Sequence, residues 1–300
     1  MFQTFTGLYE PSAIQQLPDG RFLVIEDEKQ NPFSLATINS DDSVSSKTLD
    51  VGLQEARNPF WKLNDLEAVA LDHAGFLYTI TSHSRDDEGD EKKSRDKLLR
   101  FRIEGEHLTQ PILVNGLKPA LVAAHPVLAA AAEIRNVKTD GGLNIEALEI
   151  SPDQQRLLIG FRSPLLDQQA IIATLENPRT LFEAGGPPRI SANLIKLDLG
   201  GNGIRSLCYF PSLNGYLIVS GPVTREPVQF QLWFWSGVPG ESARHVTVPG
   251  LPGFEHAEGI CAATIGGRER IVIVSDDGSR EQGRFARFLL LEVGQLQIGS

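Results

Sequence analysis

Three hundred residues contain only two cysteines, Cys208 and Cys261, so no disulfide framework holds this chain together and its stability must come from an ordinary core. Both thiols are expected to be buried and reduced. No apolar run reaches bilayer-spanning length. The first residues, Met1-Phe2-Gln3-Thr4-Phe5-Thr6-Gly7, have neither the basic nor the apolar region of an export signal, and the protein reads as cytoplasmic. Basic residues are a scattered minority, 28 Lys and Arg against 38 Asp and Glu. That balance disfavours nucleic acid and anionic membranes as partners and suits neutral or cationic ligands. No nucleophile elbow or zinc-ligand spacing occurs. Gly200-Gly201-Asn202-Gly203 opens a strand rather than a helix, which makes it a turn and not a phosphate cradle.

What the chain has instead is internal repetition. Asn64-Asp65-Leu66-Glu67-Ala68-Val69 returns as Asn144-Ile145-Glu146-Ala147-Leu148 and as His256-Ala257-Glu258-Gly259-Ile260, with looser copies in Pro11-Ser12-Ala13-Ile14 and Gly203-Ile204-Arg205-Ser206-Leu207. Each copy starts a strand, and a turn and a more apolar strand follow, as in Leu17-Pro18-Asp19-Gly20 before Phe22-Leu23-Val24-Ile25. Further β-branched runs bring each unit to four strands, and the lead residues stand roughly fifty-five apart. The pattern predicts an all-β fold: one five-bladed β-propeller domain over residues 1–300. The last unit has only a short candidate fourth strand at 295–298. Since propellers close their sheet edges, residues 2–6 are expected to complete the last blade.

The Ala-rich segment 117–142 lengthens one interval and is the one stretch that reads as helix, a helical insertion between blades. The tract 85–97 has no apolar residue and reads as a solvated loop. Its acidic spacing is like that of a calcium loop, but the offsets of an EF-hand are missing. In Trp233-Phe234-Trp235 one Trp is expected to pack between blades and the other to meet solvent.

In an antiparallel hairpin the start of the first strand lies beside the end of the second. With the first strand of every blade on the channel, Glu67, Glu146, Arg205 and Glu258 form a ring at one mouth. Asp27, Ser82, His83, Arg162, Ser275 and Asp276, which follow the second strands, stand around it. The insertion and the segment 58–64 lie on the same face. Two readings of this ring stand side by side: reciprocal salt bridges with no further role, or a ligand or metal site.

At Glu26-Asp27-Glu28, Asp65-Leu66-Glu67-Ala68, Ser82-His83-Ser84, Gly160-Phe161-Arg162-Ser163-Pro164, Ile204-Arg205-Ser206-Leu207 and Glu258-Gly259-Ile260 the chain resembles the bacterial family DUF3616, a domain of unknown function. That family is distantly similar to phytase-like propellers, in which acidic residues at the channel mouth hold calcium. The resemblance implies a propeller and a preferred face, and no established catalytic residue is carried over. Ser12 and Arg205 depart from an all-acidic ring.

The functional expectation is a channel-mouth site for a small ligand or a divalent cation such as calcium. Glu67, Glu146 and Glu258 would hold the metal or orient water, while Arg162, Arg205 and His83 would meet an anionic substrate. Hydrolysis of a phosphate ester or a lactone is the matching chemistry. The alternative is a non-catalytic scaffold that binds another protein through the rim and the insertion.

Overall fold

The computed structural model describes residues 2–26, 31–41, 43–49, 62–224, 229–254 and 256–299. Five antiparallel sheets form a ring. Blade one is built from Pro11–Gln16, Phe22–Glu26, Phe33–Ile38 and Val44–Thr48, and blade two from Leu66–Leu71, Leu77–Thr81, Leu98–Glu104 and His107–Val114. Blade three comprises Asn144–Ile150, Leu157–Ser163, Ala170–Leu175 and Ile195–Leu197, and blade four Gly203–Phe210, Gly215–Gly221, Gln231–Trp235 and Arg244–Thr247. Blade five takes Ala257–Ile265, Arg268–Ser275 and Arg287–Leu291 from the end of the chain and Gln3–Thr4 from its beginning. Gln3 pairs with Phe288 and Thr4 with Arg287, so the N-terminal strand closes the last blade.

Each blade's first strand is innermost and lies against the first strands of its two neighbours. Every seam between them carries a hydrogen bond. Ser12 Oγ donates to Leu66 O at 2.7 Å, and Ile145 N to Ser82 O at 2.8 Å. Tyr209 N donates to Glu149 Oε2 at 2.9 Å, and Ile260 N to Ser206 Oγ at 3.1 Å. Gln16 both accepts from Thr264 N at 2.7 Å and donates to Thr264 O at 2.9 Å, across the seam where the ring closes. Buried backbone groups at a blade edge would otherwise lack partners. Apolar side chains on both faces of each sheet fill the spaces between blades, which is why the middle strands read as nearly continuous apolar runs.

The tryptophans divide as expected. Trp235 is buried and stacks on Tyr216 at 5.1 Å, whereas Trp233 is half-buried, its Nε1 donating to Ser220 Oγ at 3.0 Å. Cys208 and Cys261 are free, buried thiols on the inner strands of neighbouring blades, and burial pushes both upward in pKa, Cys261 to about 12.

Two expectations need correction. Gln297–Ile298 does not belong to the last blade: it pairs with the outer strand of blade four, Val246 with Ile298 and Thr247 with Gln297, because the N-terminal strand already occupies the last blade's edge. The insertion consists of α1 (Leu117–Ala124), α2 (Pro126–Ala132) and α3 (Val137–Asp140), but it is not the sole helical segment, since α4 (Pro178–Ala184) stands in blade three. Pro178 takes the first helical position there, and Leu181 and Phe182 anchor the helix in the core. The tract 85–97 is the solvated loop expected, with residues 87, 88 and 90–93 exposed, and it is docked as well. Asp86 Oδ1 accepts from Glu88 N at 3.1 Å and from Asp90 N at 2.8 Å, and Arg85 Nε donates to Ala132 O at 2.9 Å. No helix among the described residues is long and apolar enough to cross a membrane.

Candidate functional site

All five inner strands are bulged at the same place. In blade one Pro11 pairs with Glu26 and Ala13 with Ile25, leaving Ser12 as the extra residue. The same slip leaves out Glu67 between Leu66 and Ala68, Glu146 between Ile145 and Ala147, Arg205 between Ile204 and Ser206, and Glu258 between Ala257 and Gly259. A bulge puts two residues opposite one and re-aims a side chain out of the ordinary alternation. Here it does so once per blade, and the five re-aimed residues line one cavity of about 410 Å³ at the channel mouth.

Glu146 is the hub of this ring. Its Oε1 accepts from Asn144 Nδ2 at 2.9 Å and from Arg162 Nη1 at 3.3 Å, and its Oε2 from Arg205 Nη1 at 2.5 Å. Arg205 Nη2 reaches on to Glu258 Oε1 at 2.8 Å. The Arg205 guanidinium also stands 5.3 Å from the Phe230 ring centre. Burial opposes its charge, but Glu146 and Glu258, with Glu67 behind them, outweigh burial and hold Arg205 above its ordinary pKa. Arg162 donates through Nε to Pro222 O at 3.0 Å. Gly203 makes this crowding possible, because a Cβ there would fall 1.9 Å from Arg162 O.

Glu258 is held differently from Glu146. Burial raises its pKa to about 8; Arg205 opposes the rise, while Glu146 and Asp276 add to it. Its side chain keeps 15% of its surface exposed, so this raised carboxyl remains open to the cavity.

The structure brings Glu67, Glu146, Arg162, Arg205, Glu258 and Asp276 to the cavity wall, and with them Ser12. It does not bring Ser82, His83 or Ser275 there: all three are buried. Ser82 Oγ donates to the carboxylate of Asp65. His83, in a left-handed turn with φ 56°, directs Nδ1 at Thr81 O (2.8 Å), and its Nε2 lies 3.2 Å from Asp96 Oδ1 without hydrogen-bond alignment. Burial lowers the His83 pKa, so this imidazole braces the loop and does not meet an anionic substrate. Asp27 and residues 58–61 lie outside the described residues.

Sequence reasoning missed several wall residues. Asp65 and Asn144 occupy equivalent places two residues before the bulge, and Glu10 stands there in blade one. Asp65 is held by Arg95 Nη1 at 3.1 Å and by Ser84 Oγ at 3.0 Å. The roof comes from the loop at Arg85 and Asp86 together with Asn136, Lys138 and Thr139 of the insertion. Among the described residues four ion pairs link the loop to the insertion: Lys138 to Asp87 at 3.5 Å, Arg135 to Asp90 at 3.3 Å, Lys118 to Glu91 at 3.1 Å and Glu133 to Arg85 at 3.7 Å. The repeat pattern pointed to the first group; nothing in the composition of 85–97 pointed to its docking.

A divalent cation does not fit this ring. Two of the three glutamates proposed as ligands already share the Arg205 guanidinium, which stands where the cation's charge would stand. Among the described residues no group of three or more His, Cys, Asp or Glu side chains is disposed to hold a metal ion. The same ion pairs turn Arg162 and Arg205 toward Glu146 rather than toward an incoming anion.

A family model for "Protein of unknown function (DUF3616)" matches residues 104–287, and the chain belongs to that family. Comparison with curated proteins gives no match. Among solved structures, a GH43 β-1,3-galactosidase with galactodeoxynojirimycin is 8% identical with a TM-score of 0.52, covering 99% of this chain and 97% of its own. A putative oxidoreductase (glucose dehydrogenase) from Thermus thermophilus is 14% identical over 97% of this chain and 99% of its own, with a TM-score of 0.46. The PQQ-bound aldose sugar dehydrogenase from Streptomyces coelicolor is 13% identical over 96% and 97%, with a TM-score of 0.45. At these identities the likeness is one of fold alone.

Proposed function

We propose that this DUF3616 protein holds a small polar molecule in the mouth cavity and hydrolyses an uncharged ester or lactone there, with Glu258 as the proton donor. The observation that carries the reading is the fivefold bulge. A structural salt-bridge ring needs two or three charged strands, whereas here every blade, including the one that offers only Ser12, turns its lead residue into the same cavity.

The chemistry follows from protonation. Water adds to the acyl carbon, and a carboxylate of the wall such as Glu67 takes its proton. The carbon–oxygen bond to the leaving group breaks, and the leaving oxygen takes the proton of Glu258. A lactone suits this site better than a phosphate ester, because both guanidinium groups near Glu258 are engaged by Glu146. The scaffold alternative would be favoured by an apolar patch on the insertion. Among the described residues the exposed large hydrophobic side chain is Val238, far along the chain in blade four.

Hydrolysis of δ-valerolactone and p-nitrophenyl acetate, with p-nitrophenyl phosphate as the contrasting ester, tests the reading. The acyl substrates should be cleaved, the rate should fall as pH rises through about 8, and Glu258→Gln should lower it about 100-fold or more. Cleavage of the phosphate ester alone, or a full rate in Glu258→Gln, would overturn it.

A further inference from the structure

We propose that the loop 85–93 is a lid on the mouth cavity, latched to the insertion by exposed ion pairs and opened by rising ionic strength. The lid's role rests on the reading of the cavity as the ligand site; its movement does not. Arg85, Asp86 and Asp87 form one side of the roof, and Asn136, Lys138 and Thr139 of the insertion form the other. The two sides are held by different forces. The insertion is rooted in the core of blades two and three through Leu117, Leu121, Leu128 and Ala131, none more than 2% exposed. The loop has no apolar side chain to bury. Polar groups tie it to the insertion: the four ion pairs, the bond from Arg85 Nε to Ala132 O, and one from Arg135 Nη2 to Glu88 O at 3.3 Å.

In each of those ion pairs the carboxylate keeps between 59% and 84% of its side-chain surface in solvent. Exposed pairs are weak singly and are screened by salt, the screening length falling from about 30 Å at about 0.01 M to about 3 Å at about 1 M. Salt therefore loosens the latch and leaves the apolar anchors of the insertion in place. The stem of the loop is also fixed. Arg95 pairs with Asp65 at 3.1 Å, His83 N donates to Arg95 O at 2.8 Å, and Arg85 bridges Glu91 where the two arms of the loop meet. Within the loop Lys92 Nζ lies 2.9 Å from Asp86 Oδ2, so the lid moves as one piece on a rigid stem. Gly89 sets the fit of its tip. It is buried with φ 80°, and a Cβ there would lie 2.8 Å from Arg135 Cβ and 2.9 Å from Arg135 Nε. A side chain at this position pushes the two sides of the roof apart.

A thiol inside the cavity reports the lid. Ser12 lines the wall and is 8% exposed, so the rate at which N-ethylmaleimide modifies Ser12→Cys, relative to free cysteine in the same buffer, measures access. The unsubstituted protein, whose Cys208 and Cys261 are buried, gives the background. The rate should rise about fivefold or more between about 0.01 M and about 1 M sodium chloride. Adding Gly89→Ala, or Arg135→Gln together with Lys138→Gln, should make labelling fast at low salt and flatten its salt dependence, and the melt of each variant reports that it is folded. A rate independent of salt, an equal rise in the latch variants, or no labelling under any condition would overturn the proposal. Because Ser12 Oγ bonds across a blade seam, the unsubstituted protein supplies a second measure. Trypsin cleavage after Lys92 and Lys93, relative to a small peptide substrate, should accelerate with salt, and constant cleavage would also overturn the lid. Both readouts report the roof whether or not the cavity hydrolyses an ester, so failure of the lid and failure of the lactone assay are told apart.

Discussion

Arg205 and Glu146, 59 residues apart, meet across the seam of blades three and four at 2.5 Å. The pair is nearly sealed from solvent, with side-chain exposures of 9% and 4%. Removing one partner of a buried pair leaves the other charged and unmatched, which costs about 3 kcal/mol or more. Arg205→Met should therefore destabilise the fold by about that amount, since Glu258 loses its ion pair and Glu146 keeps only Arg162 and Asn144. Calcium should not restore the loss. Adding Glu258→Gln to Arg205→Met should recover part of it, because one of the stranded carboxylates is then gone. Denaturant melts of the two variants with and without calcium are the measurement. Full rescue by calcium would show instead that the ring accepts a cation once the guanidinium is removed.

The second expectation concerns pH. Glu258 is raised from an ordinary 4.5 to about 8, and Glu149, buried with its carboxylate on the Ile150 and Tyr209 amides, is raised to about 7. A carboxyl whose folded pKa lies above its unfolded value binds its proton more tightly in the folded state. Its favourable contribution is complete below 4.5 and is lost as pH rises through the folded pKa. Stability should accordingly decline between pH 4.5 and 8, and a tenfold difference in proton affinity between the two states corresponds to about 1.4 kcal/mol. Facing Glu258 are Arg205 and Arg162, which oppose the rise in its pKa, and Glu146 and Asp276, which reinforce it. In Glu258→Gln the decline should end near 7, where Glu149 finishes titrating. Parallel curves for the two proteins from about pH 7 to well above 8 would refute this assignment.

How much of this was legible follows from what each signal depends on. The lead residues Glu67, Glu146, Arg205 and Glu258 were readable because a repeat reports equivalent places in equivalent blades, and the hairpin rule located Arg162 and Asp276 beside them. The same rule placed Ser82 and Ser275 at the rim wrongly. It fixes which strand end is near the mouth but not which way a side chain points, and the bulge shifts that by one residue on the inner strand only. A trace of the bulge was present, since Leu66-Glu67-Ala68-Val69-Ala70 does not alternate cleanly between apolar and polar. His83 was misread for a related reason: its positive φ turns the ring inward, and a left-handed His has no sequence signature. Docking of 85–97 depends on Arg85 finding Ala132 O, 47 residues away, which no local composition reveals.

The last expectation tests closure of the ring. Phe5 is 1% exposed, its ring lies 4.5 Å from that of Phe288, and its amide donates to Ala286 O at 2.9 Å. The two-residue strand Gln3–Thr4 makes little ladder of its own, so Phe5 and Leu8, also fully buried, are what hold the N-terminal segment onto the last blade. Truncating a buried Phe to Ala typically costs about 3–5 kcal/mol. If the segment were an accessory tail, Phe5→Ala would peel it away with little loss, because the rest of blade five would keep its own contacts. Since residues from both ends of the chain share this sheet, the substitution should instead lower global stability by about 3 kcal/mol in a single transition. Denaturant unfolding followed by tryptophan fluorescence checks it, because Trp233 and Trp235 sit in the adjacent blade four. An unchanged midpoint for Phe5→Ala would sink the closure argument.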